Sequence, residues 1–134
     1  MKILVDTQIF IWIFIEPYRF NKKARSFFED TASNSFYLSD ASPWEASIKY
    51  GLGKLKLPEI PEIFFADRIR RASYKHLGID LRHVTRVHSL PQIHRDPFDR
   101  LLITQAIDED MTIISDDRVF REYDVELLTL KDIS

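Results

Sequence analysis

Carboxylates are the side chains in this sequence whose types and spacing can do chemistry, and they recur at Asp6, at Glu45, at Asp96 and Asp99, and at Asp116 and Asp117. The densest signal is the stretch over residues 94–106, HRDPFDRLLITQA. Asp96 has the side chain of a helix N-cap, Pro97 fits the first helical position, and Asp99 falls in the first turn, where the helix dipole favours negative charge. With that register continued, Asp99 shares a face with Leu102, Ile103, Ala106 and Ile107, so a carboxylate heads the apolar stripe that packs on the core. An unpaired buried charge is expensive, and a metal ion is one partner that removes the expense.

The other acids sit at comparable places. Asp6 ends the apolar run Ile3-Leu4-Val5, and Asp116 and Asp117 follow Thr112-Ile113-Ile114. Both positions are C-terminal ends of expected strands, the edge at which open parallel sheets bind ligands. Glu45 falls roughly in line with Ala41, Ile48 and Leu52, among apolar neighbours. Each acid alone has a plainer reading: Asp6 and Asp96 as helix caps, Glu45 as an i, i+4 partner of Lys49. Together Asp6, Glu45, Asp99 and Asp117 repel one another, and a hard divalent ion, Mg²⁺ or Mn²⁺, offsets that repulsion with oxygen ligands. The chain has no cysteine and no HxxxH pair, so the ligand pattern of zinc is missing. It also lacks a Gly-rich phosphate loop, a GxSxG elbow and a DxDxT run. Acids without a protein nucleophile suggest hydrolysis of a phosphodiester by metal-activated water.

The elements that must hold these acids alternate. Strands are expected at 2–5, 35–39, 78–81, 111–114 and 125–128, the last at an edge. Helices are expected at 8–16, 21–30, from 40 to about 51, at 61–76, at 85–90 and from 97. Such alternation implies an α/β fold, a mainly parallel sheet with helices on both faces. The helix at 8–16 is apolar nearly all round and has to bury two faces, one of which suits another chain.

Composition sets the outer bounds. At 134 residues, 45% hydrophobic and 30% charged, the chain fits one domain with a real core, disordered only at its last few residues. The apolar run from Ile9 is too short to span a bilayer and the start lacks a signal peptide's basic flank, so a soluble cytoplasmic protein is expected. Net charge is −2, but Arg68, Arg70, Arg71, Lys75, Arg82, Arg86, Arg95 and Arg100 outnumber the acids between 68 and 100. That run is either a phosphate-facing surface or a solvated helix face. Trp44, Tyr50, Phe64 and Phe65 lie on two consecutive helices, as core or as a partner's groove.

Residues 5–7 (VDT), 42–49 (SPWEASIK) with 53–55 (GKL), 94–102 (HRDPFDRLL) and 115–117 (SDD) resemble a PIN domain of the VapC toxin type over nearly the whole chain. The resemblance implies a three-layer α/β/α fold and a metal-dependent endoribonuclease. It also implies a cognate antitoxin whose tail blocks the site, and a homodimer. By position its four acids are Asp6, Glu45, Asp99 and Asp117, with Asp96 and Asp116 as helpers or alternative ligands and Thr7 and Ser115 as hydroxyls beside them. Gln8 stands where many relatives have His, and Thr104 where Ala is usual; neither change removes a ligand. Arg95 and Arg100 are candidates to hold RNA phosphates or to pair with acids, and Arg100, directly after Asp99, should point to another face of the helix. The rival expectation is a catalytically silent PIN-like module that binds a partner through its aromatics.

Overall fold

The apolar run at the chain start forms β1 (Lys2–Val5), with Ile3, Leu4 and Val5 at zero exposure, in a computed structural model that describes residues 1–134. Around it lie β2 (Ser35–Ser39), β3 (Lys75–Leu77), β4 (Thr112–Ile114) and β5 (Leu127–Leu128), ordered β3-β2-β1-β4-β5. Every pairing is parallel, with Leu4 opposite both Tyr37 and Ile113. A central strand buried on both faces needs consecutive apolar side chains rather than alternation, and β1 has them from Ile3 to Val5.

The period of two sorts the core into layers. Ile3, Val5, Phe36, Leu38 and Ile114 point to one side. There they meet α1 (Thr7–Ile15), α2 (Lys22–Glu29) and α4 (Pro61–Arg71) through Phe10, Phe28 and Phe64. Leu4 and Ile113 point to the other, against Leu101, Leu102, Ile103 and Ala106 of α6 (Pro97–Asp108). The chain is thus a three-layer α/β/α sandwich, with α3 (Ala41–Gly51) at the side and α5 (Leu81–Arg86) packed on α6. On α1, Ile9, Phe10 and Ile11 are buried while Trp12 to Ile15 are half-buried, and the Arg19 guanidinium lies 4.2 Å from the Trp12 ring centroid.

Three helices stop in one way. In α3, α4 and α6 the chain turns left-handed two residues past the helix, at Gly53, Ser73 and Asp110. The next amide then reaches back to the carbonyl of Lys49, Ile69 or Ala106. These are Schellman stops, and only α3 uses the glycine that flags one.

Several expectations shift. The helix from Pro61 ends at Arg71 rather than near His76, because Ser73 takes φ 57°. The third strand is Lys75–Leu77, not 78–81; its Lys75 and His76 are exposed at the sheet edge, so it lacks an apolar signature. The helix expected at 85–90 is α5 followed by a 3-10 turn at Val87–Ser89. The tail forms a short helix, α7 (Leu130–Ile133), fastened by a Thr129–Asp132 capping box and by buried Ile133. No helix is long and apolar enough to cross a membrane.

Candidate active site

Parallel strands deliver their following residues to one edge, and β1 and β4 deliver Asp6 and Ser115 side by side. Asp6 occupies the N-cap position of α1, yet its side chain makes no capping bond. It accepts a hydrogen bond from Ser115 Oγ at 2.7 Å. Burial pushes the Asp6 carboxyl up to about 7, against the Ser115 hydrogen bond, with the charges of Asp99 and Glu45 adding to the rise. Thr7 Oγ1 donates to Ser42 Oγ at 2.8 Å, tying the start of α1 to the start of α3.

The start of α6 divides its two acids by task. Asp96 Oδ1 accepts from the amides of Phe98 (2.8 Å) and Asp99 (3.0 Å), so this side chain caps the helix. Asp99 turns inward, and burial pushes its carboxyl up to about 6 although His94 bonds to it; the charges of Asp96 and Glu45 push the same way. His94 Nε2 lies 2.8 Å from Asp99 Oδ2. The cap reading of Asp96 and the inward reading of Asp99 therefore both match the geometry.

Glu45 comes from α3 and is 8% exposed, its Oε2 accepting from Lys49 Nζ at 3.0 Å. That ammonium is held above its usual range by the hydrogen bond with Glu45, with Asp96 and Asp99 adding charge. The inward face of α3 is Ala41, Ser42, Glu45 and Ala46, while Ile48 and Leu52 are exposed at 42% and 64%. Glu45 is thus inward, but not through the stripe the spacing suggested. Its pairing with Lys49 and its place in the cleft hold at once.

Asp116 and Asp117 are exposed at the mouth. Asp117 caps the 3-10 turn Arg118–Glu122 through Val119 N, and its own amide donates to Ser115 Oγ at 3.1 Å. Asp116 Oδ1 accepts from Leu130 N, fastening the tail helix. All six acids line one cleft of about 510 Å³ with Lys49, His94 and an apolar wall that includes Ile11, Trp12 and Leu55. Within it His94, Asp99 and Asp117 offer ligand atoms within 4.8 Å of one another. A donor set of carboxylate oxygens with one imidazole suits a divalent cation, and burial, with the neighbouring acids adding to it, leaves two of the carboxyls pushed toward neutrality.

Other expectations are corrected. Ile107 is 48% exposed, so the α6 stripe ends at Ala106. Arg100 points away from the cleft, as its place after Asp99 implies, but neither holds a phosphate-facing position nor pairs with an acid: it is buried and donates to the carbonyls of Val87, Pro91 and His94. The basic run is mostly spent on acids, with Arg68, Arg70 and Arg71 on Asp67, Arg82 on Asp108 and Glu109, and Arg86 on Asp108. Phe64 and Phe65 are core, whereas Trp44 is 56% exposed and meets Phe98 edge-on at 4.9 Å. Tyr123 is the residue sequence reasoning passed over: its hydroxyl accepts from His94 N at 2.8 Å. Nothing in its local sequence marks it.

Known proteins resemble this chain in sequence and in fold. A family model described as PIN domain matches residues 3–126. Ribonuclease VapC16 of Mycobacterium tuberculosis (strain ATCC 25618 / H37Rv) is 46% identical over 50 residues, which is 37% of this chain and 36% of that protein's length. Among solved structures, a chain of VapBC2 from Rickettsia felis, bound to a DNA fragment from their promoter, superimposes with TM-score 0.75 at 17% identity, covering 96% of this chain and 98% of that one. A chain of DNA-bound VapBC from Salmonella typhimurium gives 0.66 at 18% identity over 97% and 98%. VapBC-1 from nontypeable Haemophilus influenzae gives 0.62 at 12% identity over 98% and 99%. At these identities the structural matches speak for the fold.

Proposed function

This chain belongs to the PIN domain family, and from that premise we propose that it is a metal-dependent endoribonuclease, the toxin of a toxin–antitoxin pair. The observation that carries the reading is the convergence of Asp6, Glu45, Asp99 and Asp117 on one cleft at the C-terminal edge of the sheet. Those four residues would hold Mg²⁺ or Mn²⁺, with Asp96 and Asp116 within reach as helpers. When bound, such an ion supplies Lewis acidity: it polarises a phosphoryl oxygen and lowers the pKa of water.

The chain's own groups do the rest. Ser115 fixes the Asp6 carboxyl in one orientation and bridges it to the Asp117 loop. Lys49, held beside Glu45, sets a positive charge at the cleft for a substrate phosphate, and Arg95 is exposed between His94 and Asp96. Ile11, Trp12 and Leu55 give an apolar wall that keeps one side of the cleft dry. RNA is the proposed substrate because a relative of this chain is a named ribonuclease.

The proposed protein partners are a cognate antitoxin, in line with the VapBC proteins that share the fold, and a second copy of the chain. The exposed stripe Trp44, Ile48 and Leu52 on α3 is apolar surface of the kind such contacts cover. The test is cleavage of a mixed pool of structured RNAs by the purified chain with Mn²⁺, beside EDTA and the Asp99→Asn variant. Cleavage by the wild type alone, and only with metal, is expected. Equal cleavage by Asp99→Asn would refute the reading, and Mn²⁺ binding without any cleavage would favour the silent module.

A further inference from the structure

The loop that enters α6 is built more firmly than a connector needs. Pro91, Gln92 and Ile93 are exposed and belong to no helix or strand. Yet Arg100 Nη1 donates to Pro91 O (2.8 Å) and His94 O (3.3 Å), and Nη2 donates to Val87 O (3.1 Å). Tyr123 completes the clamp, with its hydroxyl 2.8 Å from His94 N and 3.3 Å from Arg100 Nη1. Arg100 is 7% exposed and Tyr123 6%. Burying a guanidinium without a carboxylate is costly, and here the fork of donors is satisfied by carbonyls of the connection between α5 and α6, from the 3-10 turn at Val87 to His94. What that loop presents to the cleft is the His94 ring, the one imidazole among the lining residues, with Nε2 2.8 Å from Asp99 Oδ2.

We propose that His94 is itself a ligand of the cation site, adding an imidazole nitrogen to the Asp99 and Asp117 carboxylates, and that Arg100 and Tyr123 are the positioning residues that present it. The ligand atoms of these three side chains already lie within 4.8 Å of one another. The inference rests on reading the cleft as a metal site. It sharpens the choice of ion: all-oxygen sites suit Mg²⁺, whereas an imidazole nitrogen moves preference toward transition ions such as Mn²⁺. It also gives the clamp a purpose, since groups that orient metal ligands typically affect affinity by about 10–100-fold.

Pulsed electron paramagnetic resonance on metal-free protein reloaded with Mn²⁺ tests this, because nitrogen bound directly to Mn²⁺ modulates the electron spin echo. Wild type should show that nitrogen modulation. His94→Gln should abolish it, weaken Mn²⁺ binding about tenfold and reduce the preference for Mn²⁺ over Mg²⁺. Tyr123→Phe, which keeps the ring, should shift all three readings in the same direction as His94→Gln but less far. Mn²⁺ bound without nitrogen modulation in the wild type would overturn the proposal and leave the nuclease reading intact. Modulation that persists in His94→Gln would also overturn it, assigning the nitrogen to another histidine such as His83. Failure to bind Mn²⁺ at all would overturn both readings together.

Discussion

Two places in this molecule gather histidine and acids within 4.8 Å: His94, Asp99 and Asp117 in the cleft, and Asp80, His83 and Glu109 between α5 and α6. They differ in what balances the charge. In the second, Arg82 meets Asp108 and Glu109 at 2.6 Å, Arg86 adds to Asp108, and fully buried His83 bridges Asp80 N (2.9 Å) and Glu109 (3.0 Å). The Glu109 carboxyl is held below its usual range by its bonds to Arg82 and His83. In the cleft no guanidinium meets the acids, and burial pushes Asp6 and Asp99 up to about 7 and 6. One cluster is complete as a staple between two helices; the other, on the proposed reading, is completed by a cation. A set of ligand-type residues marks a functional site when its charge is left unbalanced.

Breaking each cluster should therefore damage different properties. Asp99→Asn, which keeps shape and removes charge, should reduce RNA cleavage about a thousandfold or more, roughly 4 kcal/mol of barrier, with the folded circular dichroism spectrum unchanged. In the cleft, losing a charge should also stabilise the metal-free fold. Asp6 titrates near 7 when folded against 3.8 in its ordinary state, so between those values the folded chain binds more protons than the unfolded one. Its contribution to stability accordingly falls as pH rises from about 4 to 7. Asp6→Asn should raise metal-free stability at pH 8 by on the order of 2–4 kcal/mol and flatten that slope in urea titrations.

The staple should respond the opposite way. His83→Leu removes both ring nitrogens, leaving Asp80 N without its acceptor and Glu109 with Arg82 alone, and should cost about 2 kcal/mol in urea unfolding. Its RNA cleavage, measured well below the melting temperature, should match the wild type. A baseline outside both clusters is Ser73, a non-glycine residue at φ 57°. Ser73→Gly should add about 0.5–1 kcal/mol of stability and alter neither cleavage nor the pH slope.

The same contrast explains how much was readable beforehand. The start of α6 was legible because cap, N1 proline and inward acid are local features, and β1 was legible because both its faces are apolar. The acids were legible as types at strand ends and helix starts. Their balance was not: whether Arg82 or Arg100 meets an acid is a long-range matter that spacing does not encode. Arg100 spends its charge on carbonyls of the segment that precedes its helix, and Tyr123 joins it from 23 residues away. The end of α4 was misjudged because Ser73 makes a left-handed stop without a glycine, and β3 because a three-residue edge strand carries no apolar pattern. Glu45 was placed inward on a stripe whose Ile48 and Leu52 are in fact exposed.

Calorimetric titration of the metal-free chain with Mn²⁺, in buffers of different ionisation enthalpy, addresses the central claim most directly. Carboxyls near 7 and 6 together hold about one proton at pH 6.5 and almost none at pH 8.5. Binding should release about one proton at the lower pH and close to none at the higher, and Asp99→Asn should weaken it sharply. Binding without proton release at pH 6.5, or of equal strength in Asp99→Asn, would contradict a cation site built on these acids.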